Sequence, residues 1–163
     1  MPVTTISGAV TSPDGARIAY TVRGPEDSPI VVWVHGATVF RATHDVPARF
    51  AEDEGLRVVE YDRRGRGESG DAQPYAVERE IDDLRALIDA HGGRVAALIG
   101  ESSGAVLALE AARAGVAADR VIAYEPPFVV DDSRPRLPAD YVARVDAAVA
   151  AGDAAEPPRR SGA

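Results

Sequence analysis

Apolar and polar positions along this chain fall into short blocks whose period switches between that of a strand and that of a helix. From about Ile6 to Val22 two short runs flank Ser12-Pro13-Asp14-Gly15, a turn signal that predicts a β-hairpin. Ile30 to Val34 (I-V-V-W-V) is continuously apolar and mostly β-branched, as a strand buried on both faces of a parallel sheet would be. A connecting helix is expected over Pro47 to Asp53, and Leu56 to Tyr61 supplies the next strand. Val77, Ile81, Leu84 and Ile88 then recur at helical spacing, with Glu78, Glu80, Asp82 and Asp83 turned elsewhere and Gly92-Gly93 as the stop. Val95 to Ile99 is a further strand. Val106, Leu107, Leu109 and Ala112 give the following helix an apolar face before Gly115 ends it, and Arg120 to Tyr124 makes one more strand. Strands alternating with helices predict an α/β fold: a mostly parallel sheet of about six strands flanked by helices, entered through an N-terminal β-hairpin. From Pro126 the texture changes. Pro126-Pro127, Pro135 and Pro138 mark a loop, Val142, Val145 and Val149 predict one more amphipathic helix, and the Pro-, Arg- and Gly-rich residues 154–163 read as a disordered tail.

Composition narrows the chemistry by elimination. The 163 residues fit one domain, large enough to bury roughly 70% of the unfolded chain's surface. Without Cys there are no disulfides, thiolate metal sites or thiol nucleophiles. Without Lys, all 18 cationic side chains are Arg, which removes a P-loop lysine, a pyridoxal Schiff base and a Ser-Lys dyad. A net charge of −8 opposes nucleic acid and acidic membrane surfaces, so a small molecule is the expected partner. Met1-Pro2-Val3 does not open a signal peptide and no apolar run approaches the ~18 residues of a membrane span, so a cytoplasmic protein with no membrane partner is expected. His35, His44 and His91 lack metal-site spacing, and neither metal nor cofactor is expected.

The candidate chemistry lies at Gly100-Glu101-Ser102-Ser103-Gly104. A G-x-S-x-G run between a strand and a helix is the nucleophile-elbow pattern, a tight turn that exposes the Oγ of its central serine. Ser102 is the candidate nucleophile. Its hydroxyl needs a neighbouring base, yet all three histidines precede it. A second glycine run, Gly65-Arg66-Gly67-Glu68-Ser69-Gly70, matches the dinucleotide pattern G-x-G-x-x-G. Pro74 interrupts where a helix should open and no acidic strand end follows, so it is read as a loop.

His35-Gly36 after the third strand, Asp62-Arg63-Arg64-Gly65-Arg66-Gly67-Glu68-Ser69 after the fourth and the elbow after the fifth stand in the order and spacing of the α/β-hydrolase-fold serine hydrolases. Over roughly residues 6 to 130 the chain resembles the N-terminal part of that family. The resemblance implies that Ser102 is the nucleophile and that the backbone amides of Ser103 and Ala37 form the oxyanion hole. It implies an ester, thioester, lactone or similar acyl substrate. It also implies a hydrolase core over 1–130, the start of a cap or lid helix over 131–153, and two late strands and a histidine that this sequence lacks. Glu125 is then the candidate acid, and His44 the remaining candidate base. The alternatives are a truncated, catalytically incompetent member, or a noncatalytic ligand-binding domain. With the late strands missing, the Arg120 to Tyr124 strand would be an open edge that invites self-association.

Overall fold

The computed structural model describes residues 4–43, 45–131 and 137–152. They fall into two compact units, divided between Pro127 and Phe128. The first begins with strands β1 (Thr4–Thr11) and β2 (Arg17–Gly24), the expected hairpin, closed by Ser12 to Gly15. β3 (Ile30–Val34), helix α1 (Val46–Glu54), β4 (Arg57–Tyr61), α2 (Val77–Ala90), β5 (Ala97–Glu101), α3 (Ser103–Arg113) and β6 (Val121–Tyr124) follow. The strands form one six-stranded sheet in the order β1-β2-β4-β3-β5-β6. Both pairings of β2 are antiparallel; β4, β3, β5 and β6 run parallel. The second unit holds α4 (Tyr141–Ala150), where the sequence predicts a helix, with Val142, Val145 and Val149 exposed. The predicted tail and His44 lie outside the described residues.

The continuous apolar run of β3 is explained by burial on both faces. Val32 and Val34 join Ile18, Val59, Tyr61 and Leu98 beneath α2 and α3, while Val31 and Trp33 join Val58, Ala97 and Ile99 against Ala51 and Phe50 of α1. Each such side chain contributes about 1.5–3 kcal/mol. On β6, the last strand of the sheet among the described residues, Ile122 and Tyr124 are exposed.

Two expectations are corrected. Glu80 and Asp83 are not turned away from the core: both are about as buried as Leu84. The reason is electrostatic. Arg63 and Arg64 enter beneath α2 as counter-charges, Arg63 forking onto both Glu80 oxygens at 2.6 and 2.7 Å and Arg64 onto both Asp83 oxygens at 2.8 and 2.7 Å. Buried charge is tolerated only when so paired. The buried face of α3 is also not the one the larger side chains mark. Gly104, Ala105, Leu107, Ala108 and Ala111 face the sheet, whereas Leu109 and Ala112 are exposed. A face of small residues lets the helix axis approach the strands more closely than a leucine face would.

Candidate active site

β5 delivers Ser102 directly to the N-terminus of α3. There the backbone adopts φ 52 and ψ −122, a region an L-residue enters only at a cost of order 1–3 kcal/mol. The flanking glycines make the turn possible. A Cβ on Gly100 would overlap the carbonyl of Gly104, and one on Gly104 would overlap that of Val34. No other residue fits either place. Ser102 itself is exposed. Ser103, first residue of α3, has an amide with no intrahelical acceptor.

The loop after β3 lies against this turn. A Cβ placed on Gly36 would sit 3.5 Å from Cβ of Ser102, and Ala37 follows, exposed, with its carbonyl accepting a 2.7 Å bond from Nε of Arg66. Glu125 occupies the corresponding point one strand away. The amide of Ser102 donates to the carbonyl of Tyr124 at 2.9 Å, and the next residue, Glu125, is the only other non-glycine with positive φ, at 47°, among the described residues. The two sterically demanding backbones of the fold thus stand side by side at the carboxyl ends of β5 and β6.

Both described histidines are engaged elsewhere. His35 is fully buried, with Nδ1 3.1 Å from Oε1 of Glu101 and Nε2 3.0 Å from Oε1 of Glu60. Nδ1 of His91 lies 2.7 Å from the carbonyl of Leu87, and its ring meets Tyr20 edge-on. The glycine run after β4 turns in on its own carboxylate. Asp62 accepts from the amides of Arg41 and Glu68, both at 2.9 Å, and from Nη2 of Arg41 at 3.0 Å, and a Cβ on Gly67 would overlap it. The loop therefore holds an internal anion where a dinucleotide loop holds a phosphate.

Sequence reasoning missed the supporting residues. Nη1 of Arg63 donates to the carbonyl of His35 at 3.2 Å and to Oγ of Ser103 at 3.0 Å, joining the two segments expected to supply oxyanion amides. The available signal was the Arg63-Arg64 pair followed by carboxylates at Glu80 and Asp83, one helical turn apart on the face of Leu84 and Leu87.

Burial alone would raise the carboxyl of Glu80, but the fork and charge of Arg63, with the Tyr75 hydroxyl, hold it below its ordinary 4.5. Burial likewise opposes ionisation of Asp62, and bonds from Arg41 and the Glu68 amide outweigh it, holding that group below 3.8. A depressed folded-state value stabilises the fold above the ordinary value, and that stability is lost as pH falls through the depressed one. Urea midpoints are therefore expected to hold steady from pH 7 to about pH 5 and to fall below about pH 4. A midpoint unchanged in acid would show that these pairs contribute nothing.

The alpha/beta hydrolase family model matches residues 31–162, and the chain belongs to that family. Relatives include a non-heme chloroperoxidase of Streptomyces lividans, 35% identical over 90% of this chain and 56% of its own length. A bifunctional esterase/perhydrolase of Acinetobacter calcoaceticus is 35% identical over 60% of this chain and 36% of its own. Among solved structures, an alpha/beta hydrolase from Sphaerobacter thermophilus aligns with TM-score 0.81 at 49% identity, covering 90% of this chain and 55% of that one. The chain spans between about a third and just over half the length of these relatives.

Proposed function

We propose that this chain carries the nucleophile and oxyanion side of a serine hydrolase, with Ser102 attacking an ester, thioester, lactone or similar acyl carbonyl. The observation that carries this reading is the strained, exposed backbone of Ser102 between two glycines that admit no side chain. In the step proposed, Oγ of Ser102 bonds to the acyl carbon while its proton passes to a base. The carbonyl π electrons move onto oxygen, and the amides of Ser103 and Ala37 stabilise that charge. Loss of one such donor costs about 3–4 kcal/mol of transition-state stabilisation. Glu125 is the acid in this reading, adjacent to Ser102 through the Tyr124 carbonyl. A serine, rather than an aspartate, at the elbow favours acyl transfer over carbon–halogen or epoxide opening.

Fluorophosphonate labelling read by intact mass tests this. Stoichiometric modification of the folded chain, abolished by Ser102→Ala, is the expected result. An unlabelled, folded chain would instead favour the second reading, a ligand-binding member of the family without turnover. That alternative draws on one observation: the ring nitrogens of both described histidines bond groups other than Ser102, those of His35 to Glu101 and Glu60 and Nδ1 of His91 to the carbonyl of Leu87.

We also propose that a second copy of this chain pairs along β6. The strand Val-Ile-Ala-Tyr carries no charge or proline, its outer edge is unpaired among the described residues, and Ile122 and Tyr124 are 48% and 64% exposed. Light scattering is expected to show concentration-dependent association that Ile122→Lys reduces; a monomer at high concentration would refute the pairing.

A further inference from the structure

The loop after β4 opens with three arginines, Arg63, Arg64 and Arg66, and their charges meet different fates. Arg63 forks onto Glu80, and Arg64 onto Asp83 with Asp14 as a further partner. Arg41, from the loop after β3, is matched by Asp62 and Glu68. Arg66 is half-exposed and bonds only main-chain carbonyls: Nε donates to Ala37 at 2.7 Å and Nη1 to Arg64 at 3.3 Å, and it forms no ion pair among the described residues. Its charge reaches Tyr75 and Glu80, but both Glu80 oxygens are already held by Arg63. A carbonyl is a neutral acceptor, so the guanidinium keeps its full charge while losing freedom to move. Two of its five N–H groups are engaged and three remain, enough for a two-point bond to a carboxylate. The two carbonyls have already restricted the side chain, so less rotamer freedom is left to lose when an anion binds. In a chain of net charge −8, such a cation draws anions to a place on a surface that otherwise repels them. That place adjoins the reaction centre. Ala37 supplies an oxyanion amide in the reading above, and Gly36 before it packs on the elbow, its Cβ position 3.5 Å from Cβ of Ser102. From Ser102 to the guanidinium the path is one side-chain contact, one residue and one hydrogen bond, a span of at most roughly 13 Å. Arg57 is the contrast. It too bonds a carbonyl and forms no ion pair among the described residues, but it begins β4, at the opposite end of the strand.

We propose that Arg66 selects acyl substrates that carry a carboxylate a few bonds from the scissile carbonyl, holding that carboxylate while Ser102 attacks. The inference rests on the hydrolase reading above and names the substrate class of that same site. The span favours half-esters and half-thioesters of short dicarboxylic acids over uncharged acyl chains of the same length.

Two fluorophosphonates with the same short alkyl arm, one ending in a carboxylate and the other in a carboxamide, separate recognition from reactivity. The wild type should label faster with the carboxylate probe, by on the order of ten- to a hundredfold, as a charge-assisted hydrogen bond allows. Arg66→Gln removes the charge and should bring the ratio of the two rates close to one. Arg66→Lys keeps the charge without the planar fork and should fall between. The ratio cancels any loss that both probes share through the bond to Ala37, which a merely structural role would produce. Equal rates in the wild type, or a preference that survives Arg66→Gln, would overturn the proposal. NMR of the arginine Nε–Hε signals decides without labelling, the Arg66 signal being identified by its loss in Arg66→Lys. The monoamide of glutaric acid should shift that signal saturably, and the uncharged diamide should not. A signal that the monoamide moves no further than the diamide would overturn the carboxylate site. A chain that labels with neither probe yet shows the shift would count against the hydrolase reading and leave the site standing.

Discussion

Arg63→Ala is expected to lower stability by about 3–5 kcal/mol, the cost of leaving a buried carboxylate without its partner. Glu80 is almost wholly enclosed, and among the described residues only the hydroxyl of Tyr75, at 2.9 Å, bonds its side chain besides Arg63. Arg63→Met combined with Glu80→Leu removes both charges and should recover most of the loss, because well-packed apolar replacements of a buried pair are often neutral or better. Urea denaturation of the three proteins measures this directly. Equal losses for the single and double variants would mean that packing volume, not charge, is what Arg63 supplies. If the double variant is stable, its fluorophosphonate labelling isolates a second role. The bonds from Arg63 to His35 and Ser103 are then missing while the fold is intact, and slower labelling is expected.

Gly104→Ala is expected to be comparably damaging, at about 3 kcal/mol or more, although it adds a single methyl group to a helix. Helix propensity favours alanine over glycine by about 1 kcal/mol. Against this, the new Cβ would overlap the carbonyl oxygens of Val34 and His35, which are backbone atoms of a central strand and its loop and cannot swing aside. α3 would have to rise off the sheet, unseating Ala105, Ala108 and Ala111 from the core. Gly115→Ala provides the contrast. That glycine follows the end of α3 with open space around its Cβ position, and its φ of 79° leaves only conformational strain to pay. Thermal unfolding of both variants should separate the two effects. A Gly104→Ala protein as stable as wild type would mean that the helix is not seated as closely as described.

Where one physical rule governed, the sequence was readable. The β-branched run Ile30–Val34 could only be a strand buried on both faces, and β3 has those bounds. The hairpin followed from its turn residues, and the helical stop at Gly92-Gly93 is occupied by two glycines of positive φ, with the amide of Gly93 closing onto Ile88. The tight turn at Ser102 was legible because a strand, a turn and a helix leave a fixed pattern of glycines. What failed involved two rules in competition. Polarity placed Glu80 and Asp83 outside, but arginines distant in sequence overrode it by pairing with them inside. Hydrophobic size nominated Leu109, but close approach selected alanine and glycine for the buried face of α3. The row Glu60, His35, Glu101 was hidden for a related reason. Its members are 25 and 66 positions apart, and only the register of three parallel strands makes them neighbours.

The backbone path of the turn at Ser102 is set by its main chain. Two positions where a Cβ cannot exist form it, together with main-chain bonds from the Ser102 amide to the carbonyl of Tyr124 and from the amides of Ala105 and Val106 to the carbonyl of Ser102. Such a framework does not depend on the group it displays. It acts as a socket: the strand, the helix and the glycines determine a point in space and a direction, and the residue at position 102 determines only what chemistry is presented there. Under the hydrolase reading proposed above, a thiol or a carboxylate installed in place of the hydroxyl would inherit the same placement, so a single codon would separate one displayed group from another.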